Sequence, residues 1–434
     1  MNDTIRTLKS EVQDVLENNI LNFWLNNMVD KENGGFYGRI DGHGLLHAEA
    51  EKGAILNARI LWAFSAAYRV LSKISPSSPN LKDYLWAATR AKNYILEHFI
   101  DKEYGGVFWS VDFKGNPLDT KKQFYAIGFV IYGLSEYARA TGDREALDYA
   151  LELYECIEDY SLDHTYNGYI EACTREWKKI EDMRLSELDA NYPKSQNTHL
   201  HIIEPYTNLY RCLKEFNVAS SCNYVPAIGS VLPVEIVVPT DMFYRIESSL
   251  RNLIDIFTDR ILNPETHHLD LFFEMDWKRG AGRLESYGHD IECSWLMHEA
   301  ALVLDDKKVL KKMEPIVQSV AKASEKGLNA DGSMIHEANL DTGYTDTDLH
   351  WWVQAENVVG WINIYQHFGD KQALQKALNC WQYIKDKLID KTEGEWYWSR
   401  HKDGSLNLED DKAGFWKCPY HNSRMCLEIL ERTL

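Results

Sequence analysis

The chain has 434 residues, 45% hydrophobic and 26% charged, with 66 Asp and Glu against 47 Lys and Arg and a formal net charge of −19. This composition excludes disorder and leaves enough apolar residues for a sizeable core. The acidic excess, scattered along the chain, excludes a nucleic-acid backbone and an anionic membrane surface as partners.

The N-terminal MNDTIRTLKSEVQDVLENNILNFW alternates charged and apolar residues at helical period, without the continuous apolar run of a signal peptide. No later stretch is long and apolar enough to span a bilayer, so a cytoplasmic protein is expected. Eight cysteines, at 156, 173, 212, 222, 293, 380, 418 and 426, show no Cys-x-x-Cys spacing and are expected as reduced, mostly buried thiols.

At Asp30 the segment DKENGGFYGRIDGHG opens with an Asx-led turn, alternates aromatic and polar residues and ends in a second turn. ILNARILWAFSAAYRVL follows from Ile55 with apolar residues at i, i+3, i+4 and i+7, a helix pattern. The turn pattern returns at Asp101, and a second helix pattern, FYAIGFVIYGLSEYARA, starts at Phe124. Further copies begin at Asp163, Asn263, Asn329 and Asp390. A short hairpin followed by a helix pair, repeated six times, predicts an all-α (α/α)6 barrel over residues 1–434, with the hairpins gathered at one end around a cleft.

The gap from Asp163 to Asn263 is longer than the others. Glu181 to Gln196 reads as a polar loop near the mouth, and Pro226, Pro233 and Pro239 interrupt any helix in an irregular insertion at about 218–247. The apolar, β-branched insertion suits either a short strand pair or a buried loop.

Three histidine segments stand out: NTHLHIIEPY, SYGHDIECSW and KCPYHNSRMCLE. Glu292 follows His289, and Arg424 follows His421, at the i+3 spacing that shares a helix face. Trp62, Trp295, Trp361 and Trp381 fall on apolar stripes and read as core, whereas Trp352 and Trp416 stand beside titratable residues and suit a sugar face. His199-x-His201 followed by Glu204 has metal-ligand residue types, but i and i+2 point to different faces of a helix, so no metal is expected. No Gly-rich phosphate loop, G-x-S-x-G or Cys–His nucleophile is present, which leaves hydride and phosphoryl transfer without machinery.

At these segments, and almost end to end, the chain resembles the cellobiose 2-epimerase branch of the N-acylglucosamine 2-epimerase superfamily. The matching blocks are GAILNARILWAFSAAYR, DKEYGGVFWSV, NTHLHIIE, SYGHDIECSWL, HWWVQAE and FWKCPYHNSRMCLE. The resemblance implies that His289 and His421 are an acid/base pair and that His201 assists ring opening. It implies that Arg59, Tyr125, Asn197 and Glu292 hold the reacting sugar, that Trp352 and Trp416 stack on it, and that Asp189 and Glu337 meet a second sugar. The chain departs from the family at Gln123 and Ile127, where His and Gln are usual.

The implied reaction is epimerisation at C2 of the reducing-end glucose of a β-1,4-linked disaccharide: cellobiose to 4-O-β-glucosyl-mannose, and lactose to epilactose. It needs no cofactor and no metal, and a monomer is expected. Two imidazoles with an unperturbed pKa near 6.5 are expected to alternate as acid and base. The alternatives are an N-acylglucosamine or mannose epimerase or isomerase of the same superfamily, an inverting glycoside hydrolase built on two carboxylates, and a carbohydrate-binding protein without turnover.

Overall fold

The computed structural model describes residues 3–187, 189–221 and 240–432. Among these, twelve helical segments form two concentric rings. The inner ring is Ala54–Ile74, Phe124–Thr141, Gln196–Ser221, Tyr287–Leu304, Trp351–Phe368 and His421–Glu431. Each inner helix packs on the next, and the sixth returns to the first, which closes an (α/α)6 barrel. The outer helices cover them from Asp3–Asp14 onward, with Leu81–Tyr94, Arg144–Tyr160, Thr240–Ile256, Lys307–Ser324 and Lys371–Tyr383. No helix among the described residues is long and apolar enough to cross a membrane.

The two rings differ as their sequences require. Inner helices lie between neighbours and the barrel axis, so Ala54 to Ala67 are all buried. An outer helix hides one stripe, such as Ala146, Leu147, Ala150, Leu151, Tyr154 and Ile157, and turns its charges outward. Trp62, Trp295, Trp361 and Trp381 are core residues, at 5% exposure or less. The seven described cysteines are free thiols, and Cys222 lies outside the described residues.

Six short bridges reproduce the six-fold pattern: Val29 with Phe36, Ile100 with Val107, Leu162 with Tyr169, Leu262 with Leu269, Leu328 with Met334, and Ile389 with Trp396. Each closes the turn at the start of a hairpin. Neighbouring repeats are then sewn together by two- or three-residue antiparallel pairs: Lys52–Gly53 with Ser110–Val111, Lys122–Gln123 with Ala172–Cys173, and Lys194–Ser195 with Phe272–Phe273. Leu284–Ser286 with Glu337–Asn339, Leu349–His350 with Ser399–Arg400, and Ile40 with Ala413 complete the circle. Five of the inner helices start directly after one of these pairings and His421–Glu431 starts eight residues after Ala413, so the positive ends of six helix dipoles converge on the same end of the barrel.

The leading Asx residue has two tasks. Asp30 Oδ1 accepts from the Glu32 and Asn33 amides, an Asx turn, while Oδ2 accepts from the buried Lys52 at 2.7 Å. The same arrangement recurs at Asp101 with Lys122 (2.9 Å), Asp163 with Lys194 (2.7 Å) and Asp390 with Lys412. In the fourth repeat the turn residue is the neutral Asn263, and Glu285 stands two residues before the inner helix, where Lys52, Lys122 and Lys194 stand in theirs. The neutral Asn263 faces no buried lysine among the described residues, and Glu285 takes its cation from Lys326 at 2.8 Å, as expected when a buried charge without its partner costs several kcal/mol.

The described ends of the 218–247 stretch are helical, at 218–221 and 240–247. Residues 222–239, with Pro226, Pro233 and Pro239, lie outside the described residues.

Candidate active site

The inner helices contribute to one cavity of about 340 Å³ at their N-terminal end, lined by Arg59, Tyr125, Asn197, His201, His289, Glu292, Trp352, Trp416 and His421. Leu185, Ser186, Asp189, Trp351, Trp398 and Asp410 complete the wall. A second lobe of about 540 Å³ shares Leu185, Ser186, Asp189, Asn197 and His289 with the first and adds Glu337. Together the lobes match the size of a ligand pocket for a small oligosaccharide. The structure thus brings all eleven residues singled out in the sequence to one contiguous cavity, with Glu337 confined to the second lobe.

Arg59 is buried in the second turn of its helix. Its guanidinium lies 4.1 Å from the Phe129 ring and 4.6 Å from the Tyr420 ring, and Nη2 donates to Tyr125 Oη at 2.9 Å. Arg59 forms no ion pair among the described residues, and its Nε is buried without a hydrogen-bond partner. A buried cation held by aromatic faces and left without a carboxylate favours an anion in the cavity. Asn197 Oδ1 and Glu292 Oε2 are likewise buried and unpartnered. Orphaned polar atoms at a cavity wall mark where a polar ligand bonds.

His201 owes its position to Pro205. Proline has no N–H to donate to the carbonyl four residues earlier, and His201 accordingly takes φ −92° and ψ 15° at a kink. Its Nδ1 pairs with Glu204 at 3.0 Å. His199 points the other way: Nδ1 meets Ser195 O at 2.6 Å and Nε2 accepts from the Tyr169 amide at 2.9 Å. With both nitrogens engaged, His199 is a structural residue that ties its helix to a hairpin.

His289 Nδ1 lies 2.8 Å from Ser286 Oγ, and its ring packs on Trp352 with centroids 4.9 Å apart. Gly288 makes this possible, since a Cβ there would meet the Trp352 ring at 2.7 Å. His421 Nδ1 lies 2.7 Å from Glu356 Oε1, and its ring also reaches Trp352, at 5.7 Å. In each histidine the Nδ1 contact leaves Nε2 as the nitrogen available to a ligand.

Behind these imidazoles lies a charged cluster; the sequence showed Glu204, Glu292 and Arg424 singly, but neither Glu356 nor the bonds that join the four. Arg424 is fully buried; Nη1 bonds Glu204, and Nη2 bonds Glu292 Oε1 and Glu356 Oε1 at 2.6 Å each. Tyr420 Oη donates to Glu204, and Trp295 Nε1 donates to Glu356 Oε2 at 2.9 Å. One cation serves three carboxylates. Burial works against the Glu204 charge, but Arg424 and His201 hold its pKa at about 2. Burial and the neighbouring Glu356 push Glu292 well above the usual carboxylate range, and burial raises Glu356 as well. The cluster therefore keeps a proton at neutral pH.

Burial also corrects the expectation of unperturbed imidazoles. It lowers His201, and it lowers His289 and His421 well below 6.5, reinforced at His421 by the Arg424 and Arg59 charges. All three rest neutral near pH 7. Each is a base in waiting; the cluster's reserve proton reaches His421 through Glu356, whereas His289 meets only the Ser286 hydroxyl.

Gln123 and Ile127 now have locations. Gln123 Nε2 donates to the backbone carbonyls of Met183 and Arg184, at 3.3 and 2.8 Å, which anchors the 181–193 loop over the cavity. That loop delivers Asp189, whose Oδ2 accepts from the Ser186 amide and hydroxyl. Ile127 is buried beside Gly106 and does not line the cavity.

The sequence matches the family described as N-acylglucosamine 2-epimerase (GlcNAc 2-epimerase) over residues 35–210 and 238–424. It is 54% identical to a cellobiose 2-epimerase of Bacteroides fragilis over 423 residues, with 98% of each chain covered. It is 39% identical to one of Ruminococcus albus, with 98% of each covered. The solved cellobiose 2-epimerase of Bacillus thermoamylovorans superposes with a TM-score of 0.85 at 38% identity, covering 99% of this chain and all of the other. The chain belongs to the N-acylglucosamine 2-epimerase family.

Proposed function

We propose that this barrel is one catalytic domain that inverts C2 of the reducing-end glucose of a β-1,4-linked disaccharide, converting cellobiose to 4-O-β-glucosyl-mannose and lactose to epilactose. The observation that carries the reading is the placement of His289 and His421 on different inner helices of one cavity, beside the unpaired cation Arg59. Inversion needs a base on one face of C2 and an acid on the other, which a single group does not provide. The full-length likeness to named cellobiose 2-epimerases supports the disaccharide as substrate.

His201, paired with Glu204, moves the proton that opens the ring. One of His289 and His421 then takes the C2 proton, and the electron pair passes into an enediolate. Arg59 and the converging helix N-termini stabilise its oxygen charge more than they stabilise the neutral sugar, which lowers the barrier. The other histidine returns a proton to the opposite face. Tyr125, Asn197 and Glu292 bond the sugar hydroxyls, Trp352 and Trp416 cover its faces, and Asp189 and Glu337 reach the second unit. The enzyme works as a cytoplasmic monomer, with no cofactor or metal in the chemical step.

Incubation with cellobiose tests the reading, because release of free glucose would instead support hydrolysis. Prolonged treatment with a chelator is expected to leave the epimerisation rate unchanged; loss, with recovery on added zinc or manganese, would contradict a proton-transfer mechanism free of metal.

The Glu292 proton predicts an alkaline limb. Burial and the neighbouring Glu356 hold this proton to a pH well above the usual carboxylate range, so kcat is expected to fall as pH rises into the alkaline range where it is lost. Glu292→Gln, which cannot ionise, should be slower yet lack the limb; a limb retained in the variant would assign it to another group.

Trp352 and Trp416 are half-buried at the cavity wall. Truncation of either to alanine is expected to raise KM or lower kcat strongly while costing less than the roughly 3–5 kcal/mol typical of a core tryptophan. Large destabilisation with unchanged kinetic constants would return them to the core.

A further inference from the structure

We propose that His336, Asp346 and His350 form a site for a divalent transition metal such as zinc on the wall of the second lobe, and that its occupation inhibits the enzyme. The three residues are brought together by backbone register. His336 precedes the strand Glu337–Asn339, Asp346 pairs opposite Glu337 in that hairpin, and His350 ends the next strand, Leu349–His350. One ligand atom from each lies within 4.8 Å of the other two. His336 Nδ1 is 2.8 Å and His350 Nε2 3.4 Å from the same oxygen, Asp346 Oδ2.

His350 Nε2 is the second observation. It is buried and makes no hydrogen bond, since its approach to Asp346 lacks the alignment of one. A buried imidazole nitrogen aimed at a carboxylate and another imidazole without bonding either is accounted for by a shared cation. Two imidazoles and one carboxylate are three protein ligands that leave a position open, here towards the lobe that all three line. The nitrogen donors select zinc and its neighbours over magnesium or calcium. The other carboxylate–histidine group, Glu292, Glu356 and His421, already holds the Arg424 guanidinium among its oxygens.

Inhibition follows from position. The His336 ring stands edge-on to Trp352 at 5.6 Å, and Trp352 packs on His289. A metal fixed on His336, with its open position in the lobe proposed for the second sugar, competes with that sugar. This consequence rests on the epimerase reading, whereas metal binding itself does not.

Equilibrium dialysis of the purified chain against micromolar zinc chloride, with elemental analysis, is expected to give one equivalent per chain. Magnesium chloride should give none, and His350→Gln and Asp346→Asn should each lose the zinc. Anomalous diffraction from zinc-soaked wild-type crystals should place a peak between the three side chains, which keeps the test independent of how the variants fold. Zinc is expected to raise KM for cellobiose several-fold in wild type and to leave it unchanged in His350→Gln. No stoichiometric binding, no peak there, or zinc retained by both variants but lost in His421→Ala would overturn the site. Zinc bound at the site with KM unmoved would overturn the inhibition alone.

Discussion

Replacement of His289 or of His421 by alanine is expected to cut turnover on cellobiose by about 10²–10⁴-fold, the usual contribution of general acid–base catalysis. Stability should change little, for a reason visible in the contacts. Loss of His421 leaves Glu356 bonded to Arg424 and Trp295, and loss of His289 frees only the Ser286 hydroxyl, so neither strands a buried charge. Steady-state kinetics beside a thermal melt checks both halves. If both variants kept more than about a hundredth of the wild-type rate, the imidazole pair would not be the acid and base.

Arg424→Leu should have the opposite character. The guanidinium holds Glu204, Glu292 and Glu356 inside a fully buried cluster, and its loss leaves three carboxylates facing one another in a low dielectric. Breaking a buried ion pair from one side typically costs about 3–5 kcal/mol, and a chemical-denaturation midpoint should register a loss of that order. Activity should also fall, because Glu204 and Glu356 orient His201 and His421 through Nδ1. A variant as stable as wild type would mean that the carboxylates hold enough protons to need no cation.

Much of this architecture was legible in the sequence because it repeats. The Asx-led turns at Asp30, Asp101, Asp163, Asn263, Asn329 and Asp390 announced six units, and each of these turns is closed by a bridge of the same kind. His289 and His421 were readable from local context, since each has a charged residue at i+3 on its own helix, although each bonds a different residue, Ser286 and Glu356. Glu356 was not, because its partners lie on other helices, with His421 65 residues away. Glu204 was visible beside His201, three residues away, but not its bond to Arg424 from 220 residues away. Arg424 carried a visible signal, its spacing from His421, but not its three carboxylates. The imidazole pKa values were misjudged for the same reason, as burial is a property of the closed ring and not of any segment. The His336, Asp346 and His350 group depends on hairpin register, which the alternation around Asn329 does not determine.

The central claim is that C2 loses its proton and regains one from the opposite face through two solvent-exchangeable imidazoles. NMR of cellobiose incubated with the enzyme in heavy water tests it most directly. The account predicts 4-O-β-glucosyl-mannose carrying deuterium at C2, with no free glucose. A mannose-configured product that keeps protium at C2, or glucose released in place of that product, would contradict it.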